Sequence, residues 1–109
     1  MNDSPDTPNP DDPDLLRAKL NTDTARIRWH ELQRYWARGQ VVRVHSRLNL
    51  IDVGLALRAD DKALFERWMR AGDVGPVTDD QARQWVESDP ELWALVIAPW
   101  VLVQYRPLH

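Results

Sequence analysis

The longest apolar stretch of the chain, Leu92–Val103, reads Leu-Trp-Ala-Leu-Val-Ile-Ala-Pro-Trp-Val-Leu-Val without a charge and is followed by Gln104. A helix that crosses a bilayer needs roughly 20 apolar residues, and Pro99 would interrupt a helix at its middle. The stretch therefore predicts buried β structure that the rest of the domain must cover. Pro99 cannot donate to a β ladder. It marks a bulge or an edge, or it divides two strands at 92–98 and 100–105.

The upstream patterns alternate between the helical period and the strand period. Leu15–Leu20 predicts a short helical lead-in. Asn21 or Thr22 then caps a longer helix to about Arg38, in which Ala25, Trp29, Leu32 and Trp36 form one apolar stripe. Arg34 and Arg38 lie opposite that stripe, flanked by Arg26 and His30, and Gly39 follows as a natural helix terminator. Gln40–His45, rich in β-branched residues, predicts a strand, and Ser46–Asn49 a turn. Leu50–Arg58 fits two templates. Ile51, Val53, Leu55 and Leu57 alternate as in a strand, whereas Leu50, Val53 and Leu57 share a helix face. The Leu and Ala content tilts the segment to helix, with the second half of a hairpin as the alternative.

Asp60 or Asp61 caps a helix over 61–71 that buries Leu64, Phe65 and Trp68 and ends at Gly72. Residues 74–77 predict a loop around Gly75-Pro76. Thr78 with Gln81 three residues on has the pattern of a capping box. It opens a helix to Ser88 that buries Ala82, Trp85 and Val86, and Asp89-Pro90 breaks the chain before the apolar stretch. The elements add up to an α+β domain, about three helices packed on one face of a small sheet of two to four strands.

Length and composition bound this picture. The 109 residues make one small domain, 14–109, and the six Trp suit a core built around indoles. Residues 1–13 hold four Pro and four Asp and no aromatic side chain, so they predict a disordered tail. The absence of Cys removes disulfides, thiolate nucleophiles and thiolate metal sites. With no basic, apolar leader at the N-terminus, the expected location is the cytoplasm, without membrane attachment.

The net charge of −3 hides a segregation. Residues 1–14 carry five Asp and no base, residues 15–58 nine bases against three acids, and residues 59–109 five bases against nine acids. The chain is acidic, then basic, then acidic.

Leu-Arg-Ala-Lys-Leu at 16–20, Ile27, Trp29, Glu31 and Leu32, Leu-Asn-Leu-Ile-Asp-Val-Gly at 48–54, Asp60-Asp61, Trp68 and above all Pro-Trp-Val-Leu-Val-Gln at 99–104 form a recognisable pattern. Over about residues 15–105 the chain resembles the bacterial family known as domain of unknown function 2288. The resemblance implies a small stand-alone bacterial protein. It brings no activity, cofactor, partner or site residue.

Candidate chemistry is sparse. His30, His45 and His109 have no metal-binding spacing. Ser4, Ser46 and Ser88 lie outside any nucleophile motif. Asp60-Asp61 and Asp79-Asp80 sit at predicted helix starts, where carboxylates cap free N–H groups. The four Gly form no phosphate loop. Asp52, between Ile51 and Val53, is either a buried acid paired with an Arg from 26–47 or a solvent-facing one.

Arg26, Arg28, Arg34, Arg38, Arg43 and Arg47 interleave with Trp29, Tyr35 and Trp36, as in proteins that hold single-stranded nucleic acid. Trp29 and Trp36, however, share the apolar stripe. The acidic tail, tethered beside this basic region, is either a solubilising extension or a polyanion mimic that covers it.

The residues favour a small non-enzymatic interaction protein with no cofactor, whose partner is another protein or a second copy. Its expected surface comprises Arg34, Tyr35, Arg38, Arg43, Arg47, Trp100 and Gln104. Trp100–Gln104 is either an edge strand open to β-augmentation or a central strand under helices. The alternatives are a nucleic-acid-associated factor using the Arg face, and an enzyme or small-molecule binder whose pocket joins Asp52, His45 and Arg43.

Overall fold

The computed structural model describes residues 12–106. The expected tail lies outside them except for its last two residues, which open a helix. Asp12 accepts a hydrogen bond from the Asp14 N–H at 2.9 Å, and Pro13 takes the first helical position, where no N–H is needed. This helix, α1 (Pro13–Asp23), buries Leu20. After it the chain runs β1 (Ala25–Arg28), α2 (Trp29–Ala37), β2 (Val41–Val44), α3 (Leu50–Arg58), α4 (Lys62–Ala71), β3 (Val74–Pro76), α5 (Asp79–Ser88), β4 (Glu91–Ile97) and β5 (Trp100–Gln104). No helix among the described residues is long and apolar enough to cross a membrane.

The architecture is α+β; the described residues form five helices and five strands, more than the expected three helices and two to four strands, because α1 and β1, and the short edge strand β3, become elements of their own. The sheet order is β1-β4-β5-β2-β3, antiparallel except where β2 runs parallel to β5. Pro99 divides the apolar stretch into β4 and β5, which pair as a hairpin. Both strands are apolar on both faces, so each face needs a cover. On one face α2 and α5 place Trp29, Leu32, Ala82 and Trp85 over Val41, Leu92, Ala94, Val101 and Val103. On the other, α1 and α3 place Leu20, Leu50, Ile51 and Val53 over Val44, Val74, Leu95 and Leu102, with Phe65 and Trp68 of α4 packed against them. The helices thus cover two faces, not the expected one.

Four further expectations change. Residues 25–28 are a strand: Ala-Arg-Ile-Arg alternates, and pairing with β4 satisfies its backbone, so the helix begins at Trp29. Residues 74–76 form an edge strand on β2. Val86 is 57% exposed, because Ala82 and Trp85 set the inward face of α5. Finally, α4 buries no residue fully, and Leu64, Phe65 and Trp68 are only half-buried.

Leu50–Arg58 is helical, with Asn49 accepting from the Ile51 and Asp52 N–H groups. Gly39 and Gly72 end their helices at φ of +73° and +78°, as helix terminators do. Asp61 caps α4 by accepting from Leu64 N–H, and Thr78 caps α5 by accepting from Gln81 N–H. The cap of α2 comes from far away. Arg28, its N-cap residue, makes no side-chain cap bond. Asp89, 59 residues beyond His30, accepts from the His30 N–H at 3.0 Å.

Gly54 lies where α3 crosses the sheet. A Cβ there would stand 2.7 Å from Leu95 Cδ2 and 3.3 Å from Leu20 Cδ1. Leu95 is fully buried and has little room to move. Gly54→Ala gains up to ~1 kcal/mol of helix propensity but meets an overpacking cost of ~1–3 kcal/mol. We expect a net loss of about 1 kcal/mol by urea unfolding, and a larger one for Gly54→Val.

Candidate functional site

The basic stretch does not assemble into one surface. Arg26 and Arg28 leave the helix for β1, where Arg26 lies 3.9 Å from Glu91 and Arg28 lies 3.6 Å from Asp89. Arg47, in the turn after β2, puts its Nε 2.6 Å from Asp73 Oδ1, and this charge is the partner of that otherwise buried oxygen. Arg43 is half-buried within β2, opposite Val103 on one side and Gly75 on the other. Arg34 on α2 and Arg38, which caps its C-terminus, remain exposed. Arg34 donates to the Tyr35 hydroxyl at 3.0 Å and stacks 4.9 Å from the ring centre, while Tyr35 itself packs against the core. The fold thus brings the acidic final segment back onto the basic middle one.

Two other sequence-named residues prove structural. Gln104 is 1% exposed, and its Nε2 donates to the His45 and Leu48 carbonyls at 3.0 and 2.8 Å, which pins the turn between β2 and α3. It offers no surface. Asp52 is half-exposed and pairs at 2.8 Å with Arg17 rather than with an Arg of 26–47. Its polar position on α3 turns it away from the face that buries Ile51 and Val53, so it is no buried acid. Asp52, His45 and Arg43 line none of the three clefts described below, and the His45 ring accepts from the Arg47 N–H. Among the described residues no group of His, Asp or Glu is placed to hold a metal ion. The strand Trp100–Gln104 is central, between β4 and β2, and so is not an open edge.

Trp100 belongs to a real cavity. A cleft of about 400 Å³ opens between the α3–α4 pair and the ends of β2, β3 and β5. Its walls are apolar: Val42, Leu57, Phe65, Met69, Pro76 and Trp100. Asp60, Asp61, Lys62 and Glu66 edge it, with Lys62 3.9 Å from Asp60 and Arg70, just outside the lining, 3.7 Å from Glu66, which leaves the edge acidic. Local rules account for the opening. Asp60 turns the chain at a φ of +56°, and Asp61 starts α4 at once. The sheet end supplies Gly39 and Gly75, where an added Cβ would meet nothing within 4 Å. Met69 and Trp100 consequently stay 52% and 38% exposed. The sequence pattern pointed to Trp100 but read Phe65 as core. The signal for the rest was the broad apolar face of α4, and only the fold shows that the sheet leaves part of it uncovered.

At the start of α2, Asp89 accepts one backbone hydrogen bond and has two basic side chains beside it. Beside the His30 N–H, the His30 ring nitrogen lies 3.1 Å away and Arg28 lies 3.6 Å away. The backbone hydrogen bond from His30 chiefly holds the Asp89 carboxyl below its ordinary value; burial opposes this, and the His30 ring and the Arg28 charge reinforce it. A depressed carboxyl contributes stability in full above its unfolded value of about 3.9 and loses it as pH falls through the folded value. In urea unfolding across pH 6 to 2, Asp89→Asn should therefore be least stable relative to the parent near pH 6. The gap should narrow below about pH 4.

Residues 15–105 match the family described as protein of unknown function, DUF2288. No curated protein matches the chain. Among solved structures, the NMR solution structure of PA1075 from Pseudomonas aeruginosa is similar to it, at 39% sequence identity over 94% of each chain and a TM-score of 0.75. The matched span takes in all five strands and the cleft, and the chain belongs to the DUF2288 family.

Proposed function

We propose that the protein is a non-enzymatic interaction module of the bacterial cytoplasm, and that the cleft beside Trp100 takes the apolar anchor of a partner protein, flanked by Lys or Arg. The observation that carries this reading is the exposure of Met69 and Trp100 within an apolar cleft edged by three carboxylates and one ammonium. A volume of about 400 Å³ suits one or two large side chains. Apolar anchors in such clefts supply affinity, while a ring of charge sets the choice of partner and the on-rate. The acidic edge favours a basic segment over a second copy of this chain, which would bring the same carboxylates face to face. It also disfavours nucleic acid at this place.

The test is an NMR titration of the full-length protein with three short peptides. One has a central Phe between Lys residues, the second Glu in place of Lys, and the third Ser in place of Phe. The Lys peptide should shift the Met69 methyl and the Trp100 indole N–H. The other two should bind at least severalfold more weakly, the gap to the Glu peptide closing with added salt. Gly75→Leu, at a position with free space for a side chain, should weaken binding while leaving the rest of the spectrum in place. Shifts confined to other surfaces, or equal binding of the Glu peptide, would contradict the proposal. So would concentration-dependent shifts at Met69 and Trp100 without peptide, which would give the cleft to a second copy.

A further inference from the structure

The opposite end of β5 carries a second, chemically different surface. Trp93 lies half-buried on the α1/α3 side of the sheet, directly across the β1/β4 register from Arg26. The Arg26 guanidinium sits 4.7 Å from the centre of the Trp93 ring. Two adjoining clefts, about 240 and 520 Å³, share Trp93 and Arg106 as their common wall. Tyr105, 45% exposed, lines the larger one together with Glu91. Asn49 lines the smaller.

These two arginines differ from their neighbours in what they leave unused. Arg17 and Arg47 each hold a carboxylate at 2.8 Å or less. Arg26 meets Glu91 only at 3.9 Å, beyond hydrogen-bond reach. Arg106 makes one long contact, 3.5 Å to the Leu48 carbonyl. A guanidinium has five N–H donors in a planar fork, so among the described residues both keep most of their donors open. The corner therefore places two cationic forks beside an indole and a phenol, with one opposing carboxylate. Planar guanidinium and aromatic faces stack on nucleobases, and the fork matches phosphate oxygens bidentately.

We infer that the corner formed by Arg26, Trp93, Tyr105 and Arg106 binds a nucleotide, a base linked through its sugar to a phosphate, supplied free or as part of a single strand. The base stacks against Tyr105 or the outer face of Arg26, and Arg106 takes the phosphate. Glu91 works against the phosphate charge and holds Arg26 loosely in place. This surface is distinct from the six-Arg stretch of the sequence. It uses only Arg26 from that stretch and recruits Arg106 from the chain's far end.

The experiment is a titration of the full-length protein, followed by the Trp93 indole N–H and the Tyr105 amide. The probes are adenosine 5′-monophosphate, adenosine, inorganic phosphate and a six-residue oligodeoxyadenylate. The monophosphate should bind saturably at both reporters, about tenfold tighter than adenosine or phosphate alone. Arg106→Gln and Arg26→Gln should each weaken it by about tenfold, whereas Glu91→Gln should tighten it. An oligomer that binds more tightly than the monophosphate, with a steep salt dependence, assigns the site to single strands. Equal binding per base assigns it to free nucleotide. No shift at Trp93 and Tyr105 with either the monophosphate or the oligomer would overturn the inference. So would indifference to Arg106→Gln, or phosphate alone binding as well as the monophosphate. Peptide binding at the Trp100 cleft should be unchanged in all three variants, which separates this result from that one.

Discussion

Everything in this molecule is arranged around the burial of β5. Val101, Leu102, Val103 and Gln104 follow one another with at most 5% of their surface exposed. Four consecutive buried residues mean that both faces and both edges of the strand are covered. A fully buried Val or Leu side chain contributes about 1.5–3 kcal/mol, but only if every backbone N–H and C=O beside it finds a partner. The hairpin with β4 supplies one edge and the parallel pairing with β2 the other. The parallel pairing in turn requires a long excursion, and α3, α4, β3, α5 and β4 are that excursion. The helices then close the faces, α2 and α5 with indoles over Val101 and Val103, and α1 and α3 with aliphatic chains over Leu102.

The same constraint explains why the open surfaces lie where β5 stops. At its first residue the covering helices run out, and Trp100 is left at the edge of an apolar cleft. At its last residue Gln104 spends its amide on the turn carbonyls of His45 and Leu48. Tyr105 and Arg106, just beyond, are free of the sheet and face outward. One end is apolar with an acidic edge, the other aromatic and cationic. The acidic final segment supplies the carboxylates of the first end, and the second joins Arg26 of the basic segment to Arg106 of the final one, while Arg28 with Asp89 and Arg47 with Asp73 neutralise each other.

What the sequence made legible were the local rules. Pro99 split the apolar stretch, Gly39 and Gly72 ended helices, Thr78 capped α5, and the Val-Val-Arg-Val run was a strand. The β4 and β5 strands were legible from uncharged length alone, and the family from the Pro99–Gln104 ending. Ala25–Arg28 was not, because Ala25 stands four residues before Trp29 and completes a helical stripe, and a four-residue alternation is too short to compete with it. Its strand state is decided by β4, more than 60 positions away. The central position of β5 and the cover on both faces depend on pairing order, which no local pattern contains. Gln104 looked like the polar end of a surface strand because its two acceptors sit 56 and 59 residues upstream. Asp52 found Arg17, and Asp89 found His30, for the same reason. Of the candidate surface, Trp100 lines the cleft, a position that no local pattern contained. Met69 and Phe65 were indistinguishable from core residues until the sheet left them half-covered.

With both faces and both edges covered, β5 should be the last element to open, and native-state hydrogen exchange reads this out directly. The amides of Val101, Leu102 and Val103 should exchange only through global unfolding, with an exchange free energy equal to the urea-derived stability. Those of Ala25–Arg28 and Val74–Gly75, on the two sheet edges, should exchange through smaller openings. Exchange of the β5 amides as fast as that of either edge strand would contradict this order.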